Sequence, residues 1–207
     1  MVADFSGTYT WAIIAAMNGD QHESDLEFLR SGASDVPGVA HHAQPRFIAD
    51  VNVGKLAKWL RILGYDAVYI NPIEDDLLVQ IGLREGRIVL TKDTHIAERR
   101  VATSGRVRVV VVQGVRVWDQ LHFLAERLGL RYSINLLSRC IECNVPLEST
   151  DRSQVKDLVP PYVYTTQQHY MACPHCGKIY WPGTHWQRMR EVAEEVLGSG
   201  SWVVGEE

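Results

Sequence analysis

The stretch Arg46-Phe-Ile-Ala-Asp50, Val51-Asn-Val-Gly54, Lys55-Leu-Ala-Lys-Trp-Leu-Arg-Ile-Leu63, Gly64-Tyr-Asp-Ala-Val-Tyr-Ile70 decides the fold. Residues 47–51 form a short apolar run that reads as a buried strand. Leu56, Trp59, Leu60 and Leu63 recur at helical spacing over 55–63, and Gly64 stops the helix. Residues 67–70 read as a second strand, closed by Asn71-Pro72. A helix between two apolar strands is the unit of a parallel sheet.

The pattern continues outward. Asp75 and Asp76 open a second helix through Glu85, with Leu77, Leu78, Ile81 and Leu83 apolar and Gly86 as its stop. Residues 87–90 form a third strand. Asp93 opens a short helix to about Val101. Residues 107–112 read as a fourth, central strand, and a last helix runs from about Asp119 to Leu128, ended by Gly129. Strands this apolar, alternating with helices, predict a parallel sheet covered on both faces. Ligands of such sheets bind outside the carboxyl ends of the strands.

Four acids stand at or near that edge by chain position. Asp50 ends the first strand, Asp75 and Asp76 follow the second, and Asp93 follows the third. Carboxylates gathered at one edge repel unless a cation joins them, and hard oxygen ligands select Mg²⁺ or Mn²⁺. Such ions support phosphodiester cleavage. Asp75, Asp76 and Asp93 also stand where helix caps and first-turn acids are favoured. Asp119, after the fourth strand, is a candidate fourth acid and an equally good cap. Lys55, Arg61, Lys92 and Arg99 are candidate phosphate contacts, and Thr91 is placed to orient Asp93 by a hydroxyl hydrogen bond.

All four cysteines fall in two pairs, Cys140-Ile-Glu-Cys143 and Cys173-Pro-His-Cys176, with 29 residues between them. Each C-x2-C pair is a tight turn presenting two thiolates to one point. Two such turns complete a tetrahedral zinc site, closed and therefore structural. Gly177 permits the tight backbone after the second pair. His175 lies inside that turn as a competing donor. Tyr162, Tyr164, Tyr170, Tyr180, Trp181, His185 and Trp186, with Arg188 and Arg190, either fill a small core or stack bases and hold phosphates.

With 46% hydrophobic and 22% charged residues in 207, the chain is an ordinary globular one, large enough to bury a core. No apolar run approaches the roughly 20 residues of a membrane span. No basic run precedes the apolar residues 11–16, so the expectation is a cytoplasmic protein with reduced thiols. The net charge of −4 is unevenly spread. Residues 1–45 carry Arg30 against six acids, and residues 191–207 carry five acids and no base. Residues 46–190 hold 20 Lys+Arg against 14 Asp+Glu, a net of +6. A basic body between acidic ends is compatible with a phosphate-backbone ligand.

Arg46-Phe-Ile-Ala-Asp50, Gly54 through Asp66, Leu90-Thr-Lys-Asp93, Ser138-Arg-Cys-Ile-Glu-Cys-Asn144, Val159-Pro-Pro-Tyr-Val-Tyr164 and Tyr180-Trp-Pro-Gly-Thr-His185 together resemble the Mut-seven C-terminal RNase family, a branch of the PIN-like nucleases. The resemblance covers about 46–190. It implies a PIN-like three-layer α/β/α nuclease domain over 46–135 and a four-cysteine zinc ribbon over 136–190; residues 1–45, outside the resemblance, read as an acidic, flexible extension and 191–207 as an acidic tail. It implies a Mg²⁺- or Mn²⁺-dependent endoribonuclease, with Asp50 as first acid, Asp75 or Asp76 as second, Asp93 as third, and Asp119 a weak match to the fourth. RNA is the expected ligand and no membrane is. PIN-like domains often pair, so a homodimer is an expectation, as is a regulatory protein partner for a toxin-like nuclease. The remaining alternative is a non-catalytic RNA- or ribosome-binding module. Replacing Cys173 or Cys176 by Ser is expected to abolish zinc binding, measured by metal analysis, and to unfold the C-terminal part, measured by limited proteolysis.

Overall fold

A computed structural model describes residues 44–130, 136, 138–183, 187, 189–191 and 194. The acidic extension, the end of the acidic tail and the side chains of His185, Trp186 and Arg188 lie outside the described residues. The chain divides into two units, Met1–Gln44 and Pro45–Glu207.

Four strands, β1 (Phe47–Ala49), β2 (Ala67–Tyr69), β3 (Ile88–Thr91) and β4 (Val109–Val111), form one wholly parallel sheet in the order β2-β1-β3-β4. Helices α1 (Gly54–Ile62), α2 (Asp75–Glu85), α3 (Thr94–Glu98), α4 (Arg100–Thr103) and α5 (Val117–Leu128) connect and follow them. Right-handed crossovers dictate which face each helix covers. The step from β1 to β2 runs one way along the sheet and places α1 on one face. The steps from β2 to β3 and from β3 to β4 run the other way and place α2 to α4 opposite. After β4, α5 returns to pack on α1. Phe47, Ala49, Ile88, Leu90, Val110 and Val112 point into the core shared with α1 and α5. Trp59 and Trp118 meet edge-to-face there, with centroids 4.3 Å apart. The chain is thus an α/β fold with a central four-stranded parallel sheet.

The expected elements are present, with three of the four strands shorter and the third shifted by one residue. The first strand ends at Ala49 because Asp50 turns the chain into a 3₁₀ turn, Val51–Val53, and caps it. The short helix after Asp93 is split at Arg99, whose ψ of 141° is extended rather than helical. Beyond residue 137, a small antiparallel sheet of β5 (Glu148–Thr150), β6 (Tyr170–Ala172) and β7 (Ile179–Tyr180) is joined by α6 (Pro161–Thr166). Its core is thin. Cys140, Leu147 and Cys173 form one cluster, and Val155, Val159 and Tyr170 the other. Tyr164 lies under the Arg152 guanidinium, 4.6 Å from ring centre to Cζ. The aromatics Tyr164, Tyr170, Tyr180 and Trp181 are therefore packed in these cores, and Tyr162 stands exposed.

Helix α2 approaches β3 closely because residue 82 is glycine. A Cβ at Gly82 would lie 2.6 Å from Val89 Cγ2 and 3.1 Å from Val107 Cγ2. Gly82→Ala gains helix propensity of about 1 kcal/mol but overpacks this contact. A net loss of about 1–2 kcal/mol is expected in urea denaturation, partly restored when Val89→Ala is added in the same chain.

Candidate active site and metal centre

The sheet order brings β1 and β3 together as neighbours, and their connections leave in opposite directions. This is the point of a parallel sheet where a crevice opens at the carboxyl ends. Asp50 leaves β1 there and Asp93 follows β3, and the Asp50 N–H donates to Leu90 O at 2.9 Å. Thr91, fully buried, links them. Its Oγ1 donates to Asp50 Oδ2 at 2.8 Å and accepts from the Asp93 N–H at 2.9 Å. Asp50 is 4% exposed, and its carboxylate also accepts from Val51 N at 2.6 Å and Asn52 Nδ2 at 3.3 Å. Those three bonds are why an acid is tolerated at the end of an apolar strand. Asp93 caps α3, its Oδ1 accepting from His95 N at 2.8 Å.

Asp75 and Asp76 begin α2 and face Arg99 at the break between α3 and α4. Arg99 lies 2.5 Å from Asp76 Oδ1 and 3.4 Å from Asp75 Oδ2. Lys55, in the first turn of α1, and Lys92, beside Asp93, are exposed, and Lys92 Nζ donates to Gly114 O at 3.1 Å. Asp119 is in the first turn of α5. It accepts from the Arg116 N–H and pairs with its guanidinium, which holds the Asp119 carboxyl below its usual range. Its observed contacts are those of a cap. Among the described residues, only the four cysteines form a group of three or more such donors within 4.8 Å of one another. The edge acids stand in two tethered pairs rather than one tight cluster.

Arg61 corrects an expectation. Helix α1 starts at the carboxyl edge and runs back to the start of β2, so seven residues of helix carry Arg61 about 10 Å from Gly54. There it is 5% exposed. Its Nε donates to Ala67 O, and its Nη1 to Ile141 O and Glu142 O, all at 2.8 Å. Buried among carbonyls at the opposite edge, it is no phosphate contact.

The cysteines form the second centre. Cys140 and Cys173 are buried, Cys143 is half-buried and Cys176 exposed. A tetrahedron with Zn–S bonds of about 2.3 Å has edges of about 3.8 Å, and Cys140 Sγ lies 3.7 Å from Cys176 Sγ. His175 is not among the clustered donors. The two turns match bond for bond. Cys143 N and Cys176 N each donate to the first sulfur of their pair at 3.4 Å. Asn144 N and Gly177 N each donate back to the first cysteine carbonyl at 2.9 Å. Asn144 and Gly177 take the same left-handed conformation, with φ of 64° and 69°. Burial pushes the Cys173 thiol up to about 11. It pushes Cys140 the same way, but there the Tyr180 hydroxyl and backbone N–H groups prevail and bring the thiol to about 7. Four sulfurs this close are a donor set that a soft dication would hold fully deprotonated.

The first cysteine turn docks on the amino edge of the large sheet. Asn144 Nδ2 donates to Asp66 Oδ1 at 2.7 Å, and Ala67 N donates to Asn144 Oδ1 at 2.9 Å. Arg87 Nη1 donates to the same Asp66 oxygen at 2.6 Å, while its Nε donates to Glu85. Asp66 and Asn144 close two of the motifs that carry the family resemblance, but no role for them or for Arg87 is legible there; the signal for Asn144 is that it follows its C-x2-C where Gly177 follows the other.

A family model described as Mut7-C RNAse domain matches residues 45–193. No curated protein and no solved structure matches the chain. No helix among the described residues is long and apolar enough to cross a membrane.

Burial works to raise the Asp66 carboxyl, but the Arg87 guanidinium, the Asn144 amide and the Arg139 charge outweigh it and hold the group below its usual value. A folded-state pKa below the unfolded one contributes stability above the unfolded value, near 4, that is lost as pH falls through the folded value. Asp66→Asn is expected to cost about 1–3 kcal/mol at pH 7. It should also flatten the decline of stability below pH 4, measured by denaturant titration across pH.

Proposed function

The chain belongs to the Mut7-C RNAse domain family, and on that premise we propose that it is an endoribonuclease hydrolysing RNA phosphodiester bonds at the carboxyl edge of its parallel sheet. The observation that carries this reading is the Thr91 hydroxyl, which joins Asp50 and Asp93 at the ends of adjacent strands. The buried hydroxyl binds the Asp50 carboxylate and the Asp93 backbone N–H, which supports a reading in which the two strand-end acids stand side by side at one edge of the sheet.

Asp50 and Asp93 are the residues that would hold a Mg²⁺ or Mn²⁺ ion. Their oxygens are hard donors, and Mg²⁺ is commonly bound by one or two carboxylates with water completing the shell. When bound, the ion supplies an activated water and charge stabilisation on the leaving oxygen. The rest falls to the chain. Val51 N, Asn52 and Thr91 fix the Asp50 carboxylate. His95 N fixes Asp93. Arg99 holds Asp76 closer than Asp75, which makes Asp75 the acid freer to turn toward the crevice. Lys55, Lys92 and Arg99 place positive charge around the crevice for phosphate oxygens. The four cysteines would hold a structural zinc. The turn of Cys140 and Cys143 docks on the amino edge, away from the acids, so its contribution is to stability rather than to the reacting phosphate.

The second reading is an RNA-binding module without catalysis. It is favoured by the engagement of every acid as a cap or ion-pair partner. The two readings separate in one assay, cleavage of labelled single-stranded RNA and DNA with Mn²⁺, Mg²⁺ or EDTA. Metal-dependent cutting is expected, lowered at least about a hundredfold in Asp50→Asn and in Asp93→Asn, with circular dichroism and zinc content unchanged. Full activity in either variant would remove the acid pair from the mechanism. Binding without cutting would establish the second reading.

A further inference from the structure

The two cysteine turns share their N–H bonds to sulfur and to the first cysteine carbonyl but differ in the residue that closes them. Gly177 takes its left-handed φ without steric cost. Asn144 takes the same φ with a side chain, a conformation that few L-residues besides asparagine and aspartate adopt. That side chain makes two bonds outside its own turn, to the Ala67 N–H and to Asp66 Oδ1. Ala67 begins β2, and the Asp66 carbonyl accepts from Phe47 N of β1 at 2.7 Å. Asn144 is therefore bonded directly to the point where β1 and β2 begin.

Arg61 reaches the same turn from the other side. Two of its three acceptors are the carbonyls of Ile141 and Glu142, the residues between Cys140 and Cys143. These carbonyls stay in place only while the turn is wound around its sulfurs. If the turn opened, a buried guanidinium would lose two charge-assisted bonds and Asp66 would lose its amide donor.

We propose that Asn144, with Arg61, couples zinc occupancy of the four-cysteine site to the order of the α1–β2 turn, so that the α/β domain reads whether the site is filled. The inference rests on the zinc reading above. Linkage makes the coupling reciprocal: whatever zinc contributes to the order of the α1–β2 turn, that turn contributes equally to zinc affinity. Arg61 and Asn144 then act as the outer support of the metal site, a role whose loss weakens metal binding about 10–100-fold.

Asn144→Gly is the informative variant, because Gly177 shows that glycine fits the turn. It removes the two amide bonds and leaves the left-handed backbone intact. The experiment uses the full chain. Zinc content is measured first, then zinc affinity by competition with a chromophoric chelator, then hydrogen exchange with and without excess EDTA. In the wild type, chelation is expected to speed exchange in peptides covering 46–70 by tenfold or more, along with those of 138–183. In Asn144→Gly, zinc affinity is expected to fall about tenfold, and peptides 46–70 should exchange faster even when zinc is bound. A purified chain without zinc would remove the zinc reading itself. A zinc-loaded wild type in which chelation loosens 138–183 and leaves 46–70 protected would overturn the coupling. So would an Asn144→Gly chain with wild-type zinc affinity. The wild-type arm needs no substitution, so the result stands even if the variant fails to fold.

Discussion

Strand β1 is paired on both sides by parallel strands, β2 and β3, and covered on both faces, so Phe47, Ile48 and Ala49 are fully buried. A strand held in this way has only its two ends free to meet polar groups. Since every strand of the sheet points the same way, those ends fall on opposite edges with different chemistry. The carboxyl edge receives Asp50 and Asp93. The amino edge receives Asp66, Arg87 and the bonds from Asn144.

Each edge meets its polar groups by bonding them rather than by hydrating them. At the carboxyl edge, one threonine hydroxyl serves as donor to Asp50 and acceptor from the Asp93 N–H. Replacing that buried group without replacing its partners would leave a carboxylate short of a donor. At the amino edge, Arg87 is 8% exposed and sits between Asp66 and Glu85, while Arg61 lies within hydrogen-bonding reach of three carbonyls. Buried ionic groups of this kind contribute little net stability when paired, but removing one partner is costly. Their consequence is specificity, since the cysteine turn can dock only where these donors and acceptors match.

The small antiparallel sheet shows the same economy of means. Among the described residues its buried clusters hold three residues each, a small core to stand by hydrophobic burial alone. The docking bonds to the large sheet add to that core. Tyr180 serves both the core and the centre, its hydroxyl lying 3.2 Å from Cys140 Sγ and accepting from Ile141 N.

Over residues 46–130 the sequence by itself determined the type of the elements, while the small antiparallel sheet and the break at Arg99 came only from the structure. The apolar runs at 47–51, 67–70, 87–90 and 107–112 read as buried strands because helices of period 3.6 separate them, and paired C-x2-C turns point to a metal site by spacing. The order of the strands was not legible, because parallel pairing involves residues 20 or more apart with nothing local to select a neighbour. The cap role of Asp93 could be read while that of Asp50 could not, and the link through Thr91 could be half read, as a contact to Asp93. Its bond to Asp50 required β1 and β3 to be adjacent. Arg61 was misplaced because chain distance from Asp50 says nothing about direction, and a helix that returns to the amino edge carries its last turn away from the acids. Asn144 and Asp66 looked like ordinary turn residues. Only tertiary structure made them partners, because a hydrogen bond across 78 residues depends on where two separately folded turns come to rest.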